Sequence, residues 1–167
     1  VRNAHASAQA HRRRIVVVSH DAHPHGAQIL CLNFARYFKE QFRFDVDLIV
    51  LGEGRMIPKF REYATVHQPD PADAAGLERL LAALKRRGAE VAIVNTTVSG
   101  KLVAPLKAQG FAVVALIHEL PGVLKSYQLE AHAAQIAEHA DAVVFPARQV
   151  REGFEAFIGH GLAQAVI

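Results

Sequence analysis

The sequence IVVV at residues 15–18 is an unbroken β-branched run, short enough for a strand that is buried on both faces. A polar loop, SHDAHPHG, follows at residues 19–26. Apolar residues then recur at helical spacing, at Ala27, Leu30, Cys31, Phe34 and Phe38. This order of strand, loop and amphipathic helix predicts the first unit of a parallel sheet, in which ligands bind at the carboxyl ends of the strands. Because the N–H groups at a helix start favour an anion such as a phosphate, the loop is the best candidate site in the sequence.

Gly26 is the only glycine in this loop. A dinucleotide fingerprint, Gly-x-Gly-x-x-Gly, has three glycines, so a nicotinamide-binding domain is disfavoured. Two interpretations of the loop remain open at this point. One is an anion-binding turn, and the other is an ordinary strand-to-helix turn in which Gly26 relieves backbone strain.

The composition is typical of one globular domain. The 167 residues are 51% hydrophobic and 21% charged, and no apolar run approaches the ~20 residues of a membrane span. Residues 1–13 have no apolar periodicity and are expected to be a linker or a remnant, whereas residues 14–167 are expected to form the domain. The single cysteine, Cys31, excludes a disulfide framework and favours a reducing, cytoplasmic location.

The chain is mildly basic, with a net charge of +3 and a pI near 9.2. Aromatic residues are few and no basic face is interleaved with them, so nucleic acid is not an expected partner. The basic run at residues 85–87 is interpreted as the capped end of a helix. A weak contact with a membrane surface is the alternative interpretation of that run.

Strands and helices are predicted to alternate along the rest of the chain. Further strands are expected at residues 44–51, 64–67, 91–94, 113–117 and 142–145. A short helix is expected within residues 55–63, and a second begins with Asp70 as its N-cap and Pro71 at the first helical position. A third helix is expected to begin near Val103 and the last one at Pro146. Between these two, a longer helix is expected to bury the face formed by Leu129, Ala133, Ile136 and Ala140. Pro121 and Gly122 predict a turn.

This order predicts an α/β fold, a Rossmann-like doubly wound parallel sheet flanked by helices. Polar clusters follow four of the strands, at residues 19–26, 95–99, 118–119 and 146–148. The carboxyl ends of parallel strands lie at one edge of a sheet, so the four clusters are expected to converge there. That convergence is stronger support for a site than any single cluster.

The polar clusters and their order resemble the N-terminal half of a GT-B glycosyltransferase. The resemblance is carried by VSHD and HGAQ at residues 18–21 and 25–28, VNTT at 94–97, ALIHELPG at 115–122 and DAVVFP at 141–146. The group most similar in these motifs is the large retaining family that uses nucleotide-sugar donors and needs no metal or other cofactor. The resemblance extends from Arg14 to the end of the chain.

The resemblance implies roles for particular residues at the carboxyl ends of the predicted strands. His25, Gly26 and Ala27 would lie beside the donor phosphates, although many members of the family have a Gly-Gly pair where this chain has His25 and Gly26. His118 would lie against the donor sugar as a catalytic residue and stabilise the charge of the departing phosphate. Three further positions are implied to shape the pocket or to line its acceptor side: Asn95, Thr96 and Glu119.

The family's C-terminal nucleotide-sugar domain, with its Glu-x7-Glu motif, would follow Ile167. Glu130 and Glu138 have that spacing but lie on a predicted helix without the glycine and proline context of the motif, so they are interpreted as a solvated face. The chain is therefore expected to be the acceptor-side half of an enzyme and inactive alone. Its expected partners are a nucleotide-sugar, a glycan or lipid-linked acceptor, and the missing domain. The protein is expected to act in the cytoplasm or at the inner face of the membrane.

Two other classes of function stay open. The loop histidines His20, His23 and His25 suggest a zinc-dependent sugar N-deacetylase, although the paired aspartates of such enzymes are missing. The other class is a non-catalytic, flavodoxin-like ligand-binding module. A receiver-type module is disfavoured because Asp21 stands alone at the first turn.

Overall fold

The computed structural model describes residues 12–167, in which strands and helices alternate. The first seven elements are β1 (Arg14–Ser19), α1 (Gly26–Glu40), β2 (Asp45–Val50), α2 (Ile57–Arg61), β3 (Thr65–His67), α3 (Ala74–Arg86) and β4 (Ala89–Asn95). A 3₁₀ helix (Thr97–Leu102) then leads into α4 (Val103–Ala108), β5 (Ala112–Leu116), α5 (Pro121–Ser126), α6 (Glu130–His139), β6 (Ala142–Val144), α7 (Arg148–Ile158) and β7 (Ala165–Val166). Of the predicted linker at residues 1–13, residues 1–11 lie outside the described residues.

The strands form one seven-stranded, parallel sheet in the order β3-β2-β1-β4-β5-β6-β7. The chain builds outward from β1 to β3, crosses back to β4 on the other side of β1, and continues outward to β7. This is the predicted doubly wound Rossmann-like fold, and the α/β fold class is confirmed. The strand order reverses between β1 and β4, and a crevice for ligands opens at the carboxyl ends of the strands at such a switch point.

Strand β1 lies in the middle of the sheet and contributes to both cores. Val16 and Val18 pack into one hydrophobic cluster, together with residues of α3, α4, α6 and α7. Ile15 and Val17 face the opposite cluster, which contains residues of α1 and α2. An apolar run without alternation is what a strand covered on both faces requires, and this explains why residues 15–18 predict the centre of the fold.

Several element boundaries differ from those predicted. Helix α3 begins at Ala74 with Asp73 as its N-cap, because the Asp73 carboxylate accepts a hydrogen bond from the Gly76 N–H at 2.7 Å. Asp70 instead accepts from the Ala72 N–H in the turn before the helix. The prediction of Asp70 as N-cap was therefore wrong by one turn.

Two prolines also behave differently from the prediction. Pro121 begins the short helix α5, where a turn was expected, since a proline at the first helical position loses no hydrogen bond. Pro146 precedes the last helix, which begins at Arg148.

Strand β7, of two residues, was not predicted. Within residues 12–167, no helix combines the length and the apolar composition that crossing a membrane requires.

The loop after β1 is supported by the loop after β2. The Ala22 N–H donates to the Glu53 carbonyl at 3.0 Å, and the Ala22 carbonyl accepts from the Met56 N–H at 2.9 Å. Gly54 has a φ of +151°, and a Cβ placed there would lie 2.1 Å from the carbonyl carbon of Ala22. Only glycine allows this approach, so Gly54 fixes the backbone of the loop that leads into α1.

We expect Gly54→Ala to lower the free energy of unfolding by about 3 kcal/mol, because the new methyl group forces the two loops apart and the φ disfavours a side chain. Gly122→Ala is the matched control, since a Cβ at Gly122 in α5 meets no atom within 4 Å. Urea unfolding of both variants measures the difference. Equal stability of the two variants would contradict the close packing of the loops.

Candidate functional site

Loops after three neighbouring strands meet at what we call the carboxyl rim, the edge of the sheet formed by the ends of β1, β4 and β5. Hydrogen bonds join His20 after β1 to Thr96 after β4, and Asn95 at the end of β4 to His118 after β5. The predicted convergence is therefore confirmed for three of the four polar clusters. No side-chain hydrogen bond within residues 12–167 links the fourth cluster, residues 146–148, to the others.

Asn95 is the centre of this network and is completely buried. Its Nδ2 donates to the Ala27 carbonyl in the first turn of α1, at 2.8 Å, and to the Cys31 sulfur at 3.2 Å. Its Oδ1 lies 3.0 Å from Nε2 of His118. Asn95 was predicted to line the acceptor side of a cleft, but the structure has its side chain beneath the rim, where it joins α1, β4 and the residue after β5.

The same contact assigns the tautomer of His118. Because the Asn95 Nδ2 is committed as a donor, its Oδ1 must accept a hydrogen bond, and His118 therefore carries its proton on Nε2. Nδ1 then holds a lone pair and has no partner in the described part of the chain. Burial lowers the pKa of His118 below its ordinary value of 6.5, while the Glu119 carboxylate opposes this with a smaller upward effect. The imidazole is therefore neutral at pH 7.

Glu119 ties the ends of β4 and β5 together. One carboxylate oxygen accepts from the Thr97 N–H at 2.9 Å, and the other accepts from the Thr97 hydroxyl and from the His118 N–H, both at 3.1 Å. These bonds satisfy the start of the 3₁₀ helix and position the backbone of His118. The role of Glu119 in shaping a pocket stays a prediction, and its observed contacts are with Thr97 and the backbone of His118.

Thr96 has a positive φ of +71° with a ψ of 155°, a backbone conformation that residues other than glycine rarely adopt. A β-branched residue in this region costs on the order of 1–3 kcal/mol, and such strain concentrates at functional sites. The conformation is held by the bond from the Thr96 N–H to the Leu116 carbonyl and by the bonds of Glu119 to Thr97. Sequence reasoning named Thr96 but had no signal for this strain.

Gln28 was missed by the sequence analysis, although its side chain is buried at the start of α1. Its Nε2 donates both protons, one to the Asp21 carboxylate and one to Nε2 of His20 at 2.9 Å. His20 is therefore protonated on Nδ1, which donates to the Thr96 hydroxyl at 3.1 Å. Gln28 lies three residues before the buried Cys31, and this helical spacing is the signal that could have found it.

His25 and Gly26 lie at the exposed start of α1. His25 is the N-cap residue, but its side chain makes no capping hydrogen bond. Gly26 has no left-handed φ, and a Cβ at this position would meet no atom within 4 Å. The interpretation in which Gly26 relieves strain is therefore wrong. The first N–H groups of α1 have no acceptor within the helix, and the first turn contains no acidic residue.

The loop histidines do not form a ligand set for a metal. Both ring nitrogens of His20 are engaged by Gln28 and Thr96. The rings of His23 and His25 are exposed, with centroids 6.4 Å apart. Within residues 12–167, no group of three or more His, Cys, Asp or Glu side chains is arranged to hold a metal ion. This geometry does not favour the zinc-hydrolase alternative.

Cys31 is a structural residue beneath the rim. It is completely buried, and burial raises its pKa to about 11. Its thiol donates weakly to the Val18 carbonyl and accepts from Asn95. The group is protonated at physiological pH and does not have the properties of a nucleophile.

Solved structures of larger proteins have the same fold. HepE of Anabaena, solved in complex with UDP-glucose, matches 92% of this chain with a TM-score of 0.73 and 12% sequence identity. UGT2 of Phytolacca americana, solved with UDP-2-fluoro-glucose and pterostilbene, matches 80% with a TM-score of 0.59 and 11% identity. A UGT transferase from Siraitia grosvenorii, in complex with UDP, matches 91% with a TM-score of 0.58 and 10% identity.

These likenesses show the fold alone. The chain has a GT-B glycosyltransferase-like fold. It spans 42%, 47% and 50% of the lengths of the three chains just named. No protein-family model matches the sequence, and no curated protein is significantly similar to it.

We expect His118 to titrate below pH 6.5 in the folded chain, and Glu119→Gln to lower its pKa further, because the substitution removes the charge that favours the imidazolium. Histidine side-chain NMR across pH 4–8 measures both values. Because the unfolded chain takes up the proton more readily, the free energy of unfolding should fall as the pH drops below about 6.5. A His118 pKa at or above 6.5, or one raised by Glu119→Gln, would contradict this electrostatic description.

Proposed function

We propose that this chain is the acceptor-side, N-terminal half of a GT-B glycosyltransferase, which moves a sugar from a nucleotide-sugar to a glycan or lipid-linked acceptor. The observation that carries the proposal is the position of the buried amide of Asn95. It holds His118 at the carboxyl rim and is bonded to the first turn of α1. An imidazole and a helix start, fixed to one another at a topological switch point, suit a ligand with both a sugar and a phosphate group.

The start of α1 would help to bind the donor phosphates. Its first N–H groups and the positive end of the helix dipole favour an anion. Gly26 offers no side chain to block the approach, and Oδ1 of the nearby Asp21 carboxylate accepts hydrogen bonds from the His23 N–H and from Gln28. HepE bound to UDP-glucose and the UGT transferase bound to UDP are similar folds that hold such ligands, which supports a nucleotide-sugar as the partner.

His118 would contact the donor sugar through Nδ1. In the neutral ring this atom accepts a hydrogen bond from a sugar hydroxyl, while Nε2–H remains bonded to Asn95. A diphosphate nearby would raise the pKa of His118, because an opposite charge favours the imidazolium. The protonated ring would then donate Nδ1–H to the leaving phosphate, which is the charge-stabilising role that the resemblance implies.

The rest of the proposed enzyme would come from a second domain. This inference is supported by the lengths of the similar chains, of which this chain spans half or less. We infer that the chain alone does not turn over, that the transfer retains the anomeric configuration, and that no metal or other cofactor takes part. The reaction would take place in the cytoplasm or at the inner face of its membrane.

In the full-length protein, His118→Ala should lower kcat by on the order of 10²–10³ and change KM much less, because the lost contact strengthens in the transition state. The matched control is His160→Ala, which alters an exposed histidine whose Nδ1 hydrogen-bonds the carbonyl of Gly161, away from the carboxyl rim. The measurement is nucleotide release from a panel of UDP-sugars and acceptors, beside the melting temperature of each variant. NMR of the product gives its anomeric configuration.

Three results would contradict parts of this proposal. Normal kcat per folded molecule in His118→Ala would give His118 a structural role only. Turnover by the isolated 167-residue chain would remove the need for a second domain. Hydrolysis of acetylamino sugars that depends on stoichiometric zinc, without transfer from any nucleotide-sugar, would replace glycosyl transfer with the deacetylase alternative.

A further inference from the structure

Five arginines converge at the opposite edge of the sheet from the carboxyl rim. We call them the arginine cluster: Arg12, Arg13, Arg14, Arg86 and Arg87. Together with Gly88 they line a cavity of about 580 Å³. A neighbouring cavity of about 320 Å³ shares Arg12, Arg14 and Arg87 with it, and its wall also includes Lys39 and Arg61. Strand β4 separates this edge from the rim, a distance of about 20 Å for its seven residues.

Four of these arginines have no carboxylate partner in the part of the chain that the structure describes. Arg14 is the exception, because it bonds Asp45 at 3.0 Å and the buried Asp47 at 2.6 Å. Within residues 12–167, no salt bridge reaches Arg12, Arg13, Arg86 or Arg87. The nearby Glu90 is occupied by Lys85 at 2.6 Å. The cavity is therefore a region of strong, uncompensated positive charge.

Helix capping explains only part of the cluster. Arg86 is in the last turn of α3 and Arg87 is its C-cap, where cations complement the helix dipole. Arg12 and Arg13 instead precede strand β1, which has no comparable dipole. Two sequence-distant segments thus bring like charges to one cavity. Such repulsion destabilises the folded state unless an anion compensates it.

We propose that the arginine cluster is a binding site for an anion that carries two or more phosphate groups. The planar guanidinium group presents paired donors that match phosphate oxygens, and arginine therefore suits phosphate better than lysine does. The cavity is concave and wide enough to accept a diphosphate or triphosphate group. The phosphates come either from a soluble oligophosphate or from the headgroups of an acidic lipid. The site is independent of the nucleotide-sugar site proposed above.

The first test is calorimetric titration of the 167-residue chain with tripolyphosphate at fixed ionic strength. We expect the double variant Arg13→Ser/Arg87→Ser to bind at least tenfold more weakly, because each lost arginine removes charge-assisted hydrogen bonds. The control Lys101→Ser/Arg148→Ser removes the same charge from exposed positions outside both cavities, and should change the affinity less than threefold. Melting curves without phosphate establish that both double variants fold.

The second arm identifies the source of the phosphate. Vesicles that contain phosphatidylglycerol are sedimented with the chain, and vesicles of phosphatidylcholine alone serve as the reference. Binding of tripolyphosphate without vesicle binding supports a soluble anion, and vesicle binding that the cluster variant loses supports a lipid headgroup. The proposal is overturned if neither probe binds, or if both double variants lose affinity equally, since the latter would be a general effect of net charge.

Discussion

The buried amide of Asn95 is the interaction on which the candidate site depends. It satisfies the Ala27 carbonyl in the first turn of α1 and bonds the ring of His118. A buried polar group left without a hydrogen-bond partner costs about 1–3 kcal/mol. The need to satisfy the Asn95 amide therefore holds the Ala27 carbonyl and the His118 ring in fixed positions around it. The geometry that relates the helix start to the imidazole is therefore a consequence of the folded core, and it exists before any ligand binds.

The rim above this amide is held in a strained form. Thr96 has a positive φ of +71°, and Glu119 anchors Thr97 with both carboxylate oxygens. Three charge-assisted bonds to one carboxylate are enough to offset strain of the size expected for Thr96. Asn95 and Glu119 thus fix the two sides of His118, one at its ring and the other at its backbone. A preorganised rim of this kind suits a site that positions a ligand.

The sequence predicts the features that local pattern decides. The β-branched run at residues 15–18 predicts a strand covered on both faces, and parallel strands bring His20, Asn95 and His118 to one edge. The N-cap of α3 was misplaced because Asp70 and Asp73 offer the same chemistry one turn apart. Helix α5 and strand β7 are too short for periodicity to reveal. The burial of Gln28 could have been predicted from its helical spacing to Cys31. The strain at Thr96 arises from contacts between distant segments, which no local pattern encodes.

The tautomer of His118 limits the chemistry that the rim can perform. Because Nε2–H is committed to Asn95, only Nδ1 remains for a ligand. Burial lowers the pKa of His118 and keeps this atom an acceptor in the unliganded chain. A sugar hydroxyl can donate to it at once, whereas a phosphate oxygen requires the ring to gain a proton first. The order of these two contacts is therefore set by the local charge, and a diphosphate held at the start of α1 would supply the charge that protonates the ring.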